Sequence, residues 1–288
     1  MQRVLSTYRF IHQPLGPTLL TEIARAGVPA IEVFCAQGHF SYRSQQAVAE
    51  LAAALRENHL ELHSLHSPTE RDTAHERASG VPISISETER VRRIDAVDEV
   101  KRALEVAERI PFRYLVQHMG HGHQAADPRK FEAAFNSLEH LVIFAKHRGV
   151  TIALENTPGE LASPESLQEF IKETHLKDLR LCLDTGHAHL EPGVSAAFEI
   201  MRAFLVTTHV HDNHGEKDEH LLPYEGTIDW DALLALFAGA PQPLPIVLEL
   251  EKSASGGPTL DQARAVFDKL EENLEGKHSR AAKSKTSE

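Results

Sequence analysis

Eight short apolar runs recur along this 288-residue chain, and a stretch with helical spacing follows each one. The runs cover residues 4–10, 30–35, 60–66, 113–118, 150–155, 179–184, 206–211 and 246–250. Between them, Leu19, Leu20, Ile23 and Ala24 share one helical face, as do Val48, Leu51, Ala52 and Leu55. The longest helical stretch, 86–109, carries Val91, Ile94, Val97, Leu104 and Val106, and Ser86 with Glu89 reads as its capping box. Further helices are expected at 128–148 behind Asp127, at 164–174 behind Ser163, and at 195–202, 230–237 and 259–274. Strands that alternate with helices form a parallel sheet, and eight such units close into a (β/α)8 barrel. An open doubly wound sheet would want a glycine-rich phosphate turn after its first strand, and YRFIHQPLGP is not one. The expected fold is a single α/β TIM barrel over residues 1–275. The polar, basic end, 276–288, lacks a packing face and reads as a disordered tail. The polar loop 67–84 is long enough for a lid or substrate loop.

Composition narrows the function. Hydrophobic residues make up 41% of the chain, enough for a full core, and the formal charge is −12. The last twelve residues carry four bases and one acid, so the body is more acidic still. That argues against a nucleic-acid surface, which carries a basic stripe. Cys35 and Cys182 both sit in apolar runs. They suit small core residues in a reducing compartment, not a disulfide framework or a zinc knuckle. The start MQRVLSTYRFIHQ lacks the apolar stretch of a signal peptide, and no segment is long and apolar enough for a membrane span. A cytoplasmic protein without membrane or nucleic-acid partners is expected, with a homo-oligomer allowed.

The ends of the apolar runs are polar in a consistent way. The third run ends at His66, the fourth at His118, the fifth at Glu155 and the sixth at Asp184, with His187 just beyond. The seventh carries His209 and His211, and Asp218 and His220 follow in its loop; the eighth carries Glu249. In a barrel these ends meet on one rim, the C-terminal face that holds active sites. Residues two apart in a strand share a face, so His209 and His211 point the same way. A buried carboxylate needs a cation or hydrogen-bond partners. A divalent metal ion is the simplest answer for Glu155, Asp184 and Glu249 together, since carboxylate and imidazole are its usual ligands. Taken singly the residues say less: His118 fits a hydrogen-bonded core histidine, and Glu155 could pair with an arginine. His63, His121, His123, His189 and His214 read as loop or supporting residues, and His39 as a candidate for the pocket wall.

The motifs LHSP, QHMG, LEN, LDTGH, HVHD, DEHLLPYEGTIDW and LELE, at His66, His118, Glu155, Asp184, His209, Asp218 and Glu249, carry a family resemblance. The sequence resembles the xylose isomerase-like TIM barrels over about residues 1–275. That superfamily includes sugar-phosphate isomerases and epimerases, ketose 3-epimerases, inosose dehydratases and endonuclease IV-type DNA-repair enzymes. The resemblance to the epimerase branch implies one divalent ion (Mn, Zn, Mg or Co) on Glu155, Asp184, His211 and Glu249, with His209 competing for the histidine position. For an isomerase or epimerase, Glu155 and Glu249 are expected to be the acid/base pair, with His187, His66 and His118 as substrate-binding residues. The substrate-holding arginine of that branch is missing, and Lys217 is a loose stand-in. The resemblance to the endonuclease branch implies further metal positions at His66, His118, His187, Asp218 and His220.

The expected function is a divalent-metal-dependent isomerase or epimerase of a small sugar, sugar phosphate or polyol, or the related dehydratase. The alternative is an endonuclease IV-like phosphodiesterase at abasic DNA. The nine-ligand match favours it, and the acidic charge opposes it.

Overall fold

The computed structural model describes residues 1–71, 81–251 and 257–285, the side chains of Arg71 and of residues 277–285 excepted. Eight parallel strands form one sheet: β1 (Arg3–Ser6), β2 (Ala30–Phe34), β3 (Glu61–His66), β4 (Tyr114–His118), β5 (Thr151–Glu155), β6 (Arg180–Asp184), β7 (Leu205–His209) and β8 (Ile246–Leu248). The sheet order is β8-β1-β2-β3-β4-β5-β6-β7. Val210 bridges Leu248, with its N–H donating to Val247 O at 2.8 Å, and this closes the barrel between β7 and β8. The expected single TIM barrel is the observed fold.

Helices follow the strands: α1 (Pro17–Arg25), α2 (Gln45–Glu57), α3 (Arg90–Leu104), α4 (Pro128–Lys146), α5 (Pro164–Thr174), α6 (Thr185–Leu190), α7 (Val194–Met201), α8 (Trp230–Ala238) and α9 (Leu260–Lys285). Their starts are local chemistry. Ser44, Asp127, Ser163 and Asp229 each accept a backbone N–H from the first turn of α2, α4, α5 and α8. No described helix is long and apolar enough to cross a membrane.

Alternation along the strands divides the core. Leu5, Ile31, Val33, Leu65, Leu115, Leu154, Leu181, Leu183 and Leu248 pack in one large cluster with the helices. Two small clusters, Val4–Ala30–Val247 and Val116–Ala153–Cys182, are separate from it. Ala30, Ala153, Cys182 and Val247 lie two residues before Glu32, Glu155, Asp184 and Glu249, so they share the inner face with these carboxylates.

Several local expectations are corrected. The first strand stops at Ser6, and Thr7–Phe10 is a 3-10 turn begun by Ser6, whose Oγ accepts from Tyr8 N at 3.4 Å. The third helix starts at Arg90, with Glu89 as its N-cap and no side-chain cap. Ser86 is buried instead beside Ser84, with their hydroxyls 3.0 Å apart, and Ser137 Oγ ties Ile85 O at 2.7 Å. Tertiary bonds thus hold 84–86 out of the helix. Val91 and Ile94 are left 66% and 49% exposed, and Ala96, Val100, Ala103 and Leu104 form the buried face. The short helix α6 was not anticipated. Of the expected lid loop, 72–80 lie outside the described residues, while Glu70–Arg71 pairs antiparallel with Val81–Pro82. The expected tail is assigned to α9 as far as Lys285, and its side chains from 277 onward lie outside the described residues.

The loop after β7 is built on Asp212, which is fully buried. Its Oδ1 accepts from Asn213 N at 2.9 Å and Ile228 N at 3.1 Å. Its Oδ2 accepts from Tyr224 N at 3.0 Å and Trp230 Nε1 at 2.7 Å. Asp212→Asn would turn an NH2 group toward these donors. We expect a stability loss of about 1–3 kcal/mol, the cost of buried polar groups left unpaired, read by chemical denaturation. An unchanged midpoint would mean that Asp212 does not hold the loop.

Candidate metal centre

Four side chains from neighbouring strand ends converge. Glu155, Asp184, His209 and Glu249 each offer one ligand atom within 4.8 Å of the others. Strand register explains the meeting: His118 pairs with Glu155 across β4 and β5, and Asp184 with His209 across β6 and β7. His209 Nδ1 lies 3.2 Å from Glu155 Oε2, 3.4 Å from Glu249 Oε2 and 3.9 Å from Asp184 Oδ2. All four residues are buried.

Each of these side chains is held by what surrounds it. Asp184 Oδ1 caps α6 by accepting from His187 N at 2.7 Å, which leaves Oδ2 facing His211 Nε2 at 3.0 Å. Asn156 clamps the Asp184 backbone, accepting from its N–H at 2.8 Å and donating to its carbonyl at 3.0 Å. Glu155 Oε2 also meets His118 Nε2 at 3.2 Å and His66 Nε2 at 3.4 Å, and its Oε1 meets His187 Nδ1 at 3.3 Å. A second set, His187, Asp218 and His220, is equally compact. Asp218 Oδ2 stands 3.1 Å from both His187 Nε2 and His220 Nε2. His220 reaches it from a left-handed backbone, φ 47°, a strained conformation for a non-glycine residue.

Ten of the eleven site residues expected from sequence are therefore together: His66, His118, Glu155, Asp184, His187, His209, His211, Asp218, His220 and Glu249. A cavity lined by His66, His118, Glu155, His187, Asp218, His220 and Glu249 opens over these residues, and exposed Lys217 lines a neighbouring one that shares His118, Gly122, His187 and Asp218 with it. His209 groups with three carboxylates, Glu155, Asp184 and Glu249, and His211 groups with His220 and Glu249. His39 is corrected. It is a buried structural histidine whose ring nitrogens meet Gln13 O at 2.7 Å and Thr7 Oγ1 at 2.9 Å. Sequence reasoning missed Glu32, buried beside His209, although a lone acid inside the apolar run AIEVF was a signal. It also missed the wall of Tyr8 and Phe34, the latter stacked on His66 at 4.2 Å.

The donor set fits a divalent cation. His209 Nδ1 and His211 Nδ1 are buried without a hydrogen-bond partner, and both look onto carboxylate oxygens. Imidazole with carboxylate is a ligand set for Zn, Mn and related ions. The electrostatics carry the same tension. Burial would raise the Glu155 carboxyl, but His209, His118 and His187 hold it well below its ordinary value. Burial pushes Glu249 up to about 8, with Glu155 and Asp184 adding to the rise against His209 and His220. Burial would lower His220, but Asp218 and Glu249 raise it to about 9. Burial lowers His66 and His211.

The sequence pattern of the xylose isomerase-like TIM barrel family matches residues 20–272. An uncharacterized protein of Sinorhizobium fredii, y4fM, is 32% identical over 158 residues, which cover 53% of this chain and 51% of that protein. The chain spans about half the length of the curated relatives it matches. Among solved structures, a D-tagatose 3-epimerase-like protein superposes with a TM-score of 0.79 at 23% identity, covering 98% of this chain and 100% of that one. A xylose isomerase-like TIM barrel protein from Mycobacterium smegmatis, in complex with magnesium, gives 0.75 at 13% identity over 96% of this chain and 97% of that one. At these identities the likeness is one of fold.

Two outcomes follow for the centre. A Cβ added at Gly186 would lie 1.9 Å from His211 Cε1, so Gly186→Ala should displace that ring and weaken divalent-ion binding roughly 10–100-fold, measured by equilibrium dialysis. Unchanged affinity would remove His211 from the ligands. The second outcome is a pH profile. The folded His220, at about 9, is raised above its ordinary 6.5, and Glu249, at about 8, above its ordinary 4.5. Their stabilisation is complete below the ordinary values and lost as pH rises through the folded ones. The ion-free protein should therefore melt at lower temperature at pH 9 than at pH 6.5. Added Mn2+ should raise the melting temperature more at the higher pH, because ion and protons compete for the same ligands. A flat profile would contradict this assignment.

Proposed function

Since the chain belongs to the xylose isomerase-like TIM barrel family, we propose that it is a divalent-metal-dependent isomerase or epimerase of a small sugar, sugar phosphate or polyol, or the dehydratase that shares its first step. The observation that carries this is the pairing of Glu155 and Glu249, whose carboxylate oxygens stand 3.2 and 3.4 Å from His209 Nδ1 and which both line one cavity. The cavity holds about 230 Å3, below the usual range for drug-sized ligands, which suits a small substrate. Glu155, Asp184, His209 and Glu249 would hold the ion, with His211 as the alternative histidine. When bound, the ion supplies Lewis acidity toward a carbonyl and a neighbouring hydroxyl.

The chain's own residues do the rest. One of Glu155 and Glu249 takes a proton from the carbon beside the carbonyl, and the other returns one. His66, His118 and His187 present ring nitrogens to substrate oxygens, and Tyr8 and Phe34 wall off one side. Lys217 stands at the neighbouring cavity, in reach of a substrate that extends there. The fold shared with a D-tagatose 3-epimerase-like protein supports this reading.

A second reading is favoured by one observation. His187, Asp218 and His220 form a separate ligand set, which suits a multi-metal phosphodiesterase at abasic DNA. The formal charge of −12 weighs against a DNA partner.

The experiment is solvent deuterium exchange into a panel of ketoses, sugar phosphates and polyols, run beside cleavage of an abasic duplex. Glu155→Gln and Glu249→Gln should each lower exchange about 10²–10⁴-fold, the scale of a general acid/base. Wild-type exchange in both variants with their metal retained would sink the isomerase mechanism. Cleavage of the duplex without any exchange would put the phosphodiesterase in its place.

A further inference from the structure

Glu32 sits in the middle of β2, and none of it is exposed. A carboxylate in such a place must be paired. Among the described residues no lysine or arginine meets it. Its partners are one hydroxyl and one ring nitrogen: Ser64 Oγ donates to Oε2 at 2.8 Å, and His209 Nε2 lies 3.1 Å from Oε1 and 3.2 Å from Oε2. Oε2 takes both hydrogen bonds, and Oε1 lies close to the same nitrogen without a hydrogen bond of its own. A carboxylate only accepts, so Nε2 carries the proton and donates.

That decides the other side of the ring. With Nε2 protonated, the neutral imidazole has its lone pair on Nδ1. Nδ1 has no hydrogen-bond partner and faces oxygens of Glu155, Glu249 and Asp184 at 3.2, 3.4 and 3.9 Å. A lone pair aimed at three carboxylates is repulsive unless a proton or a metal ion stands between them.

We propose that Glu32 is the positioning residue of the metal centre: it fixes the tautomer and ring plane of His209, so that Nδ1 is the metal donor. The assignment rests on the divalent-ion reading of the site and extends it one layer deeper. The backbone is built for it. The β2–β3 pairing slips by one residue at Ile31/Glu32, which sets Glu32 opposite Ser64. Without that slip the partner would be His63, whose side chain turns to the opposite face. A carboxylate behind a metal-bound histidine raises the basicity of the donor nitrogen and holds its orientation.

The test uses the full chain and the ion alone. Glu32→Ala should weaken Mn2+ and Zn2+ binding roughly 10–100-fold in equilibrium dialysis. Glu32→Gln keeps an oxygen that accepts from Nε2 and should recover most of the affinity. Nitrogen-15 spectra of the Zn2+-loaded protein should show His209 protonated at Nε2 in the wild type and in Glu32→Gln, and that signal lost in Glu32→Ala. A merely structural role would not move the tautomer. If Glu32→Ala does not fold, Ser64→Ala carries the test, with an expected severalfold loss of affinity. A wild type that binds ion, with Glu32→Ala or Ser64→Ala matching it in affinity and spectrum, overturns the assignment and leaves the metal reading intact. A wild type that binds no ion overturns both.

Discussion

Four carboxylates, Glu32, Glu155, Asp184 and Glu249, are buried inside one small barrel, and none is more than 4% exposed. Like charges at such distances in a medium of low dielectric repel strongly, and no backbone arrangement could hold them without compensation. The compensation is a matching set of histidines. His209 stands among all four, while His66, His118, His187 and His211 each face one or more of them. The histidine lone pairs then need a proton or a metal ion of their own. This chain of requirements ties together the barrel, the loops and the proposed chemistry.

The fold meets these requirements by dividing labour along each strand. Outward side chains are Leu, Ile and Val, and they bind the helices to the barrel. Inward side chains begin small, as with Ala30, Ala153 and Cys182, and turn to acids and histidines at the C-terminal ends. Small residues below leave room for polar side chains above. Stability and reactivity are therefore kept in different layers of the same strands. The loop from Asp212 to Trp230 adds Asp218 and His220 beside His187 and is itself held by buried hydrogen bonds to Asp212. A left-handed backbone at His220 and the absence of any Cβ at Gly186 and Gly226 are local marks of how closely this region is fitted.

The chain belongs to the xylose isomerase-like TIM barrel family and shares its fold with a D-tagatose 3-epimerase-like protein. The same ligand set could serve proton transfer on a sugar or attack on a phosphodiester, because both need a cation beside carboxylates and imidazoles. What separates them is charge outside the site. A formal charge of −12 opposes the approach of a polyanion.

The barrel was legible in the sequence because alternation of apolar runs and helical stretches is a local property of the chain. The metal-site candidates were legible because acids and histidines at strand ends break an otherwise apolar pattern. Helix starts at Asp127 and Ser163 were equally local. Ser86 was misread because its hydroxyl found Ser84, and the bond from Ser137 to Ile85 that keeps the segment out of the helix comes from α4, far along the chain. Glu32 was overlooked because its importance lies in a histidine 177 residues away. Register belonged to the tertiary structure alone. The slips at Ile31/Glu32 and Leu181/Cys182 decide which side chains stand opposite one another, setting Glu32 beside Ser64 and Asp184 beside His209. A shift of one residue turns a side chain to the other face of a strand. Composition and periodicity carry no information about such a shift, since it depends on how both strands pack against the whole barrel.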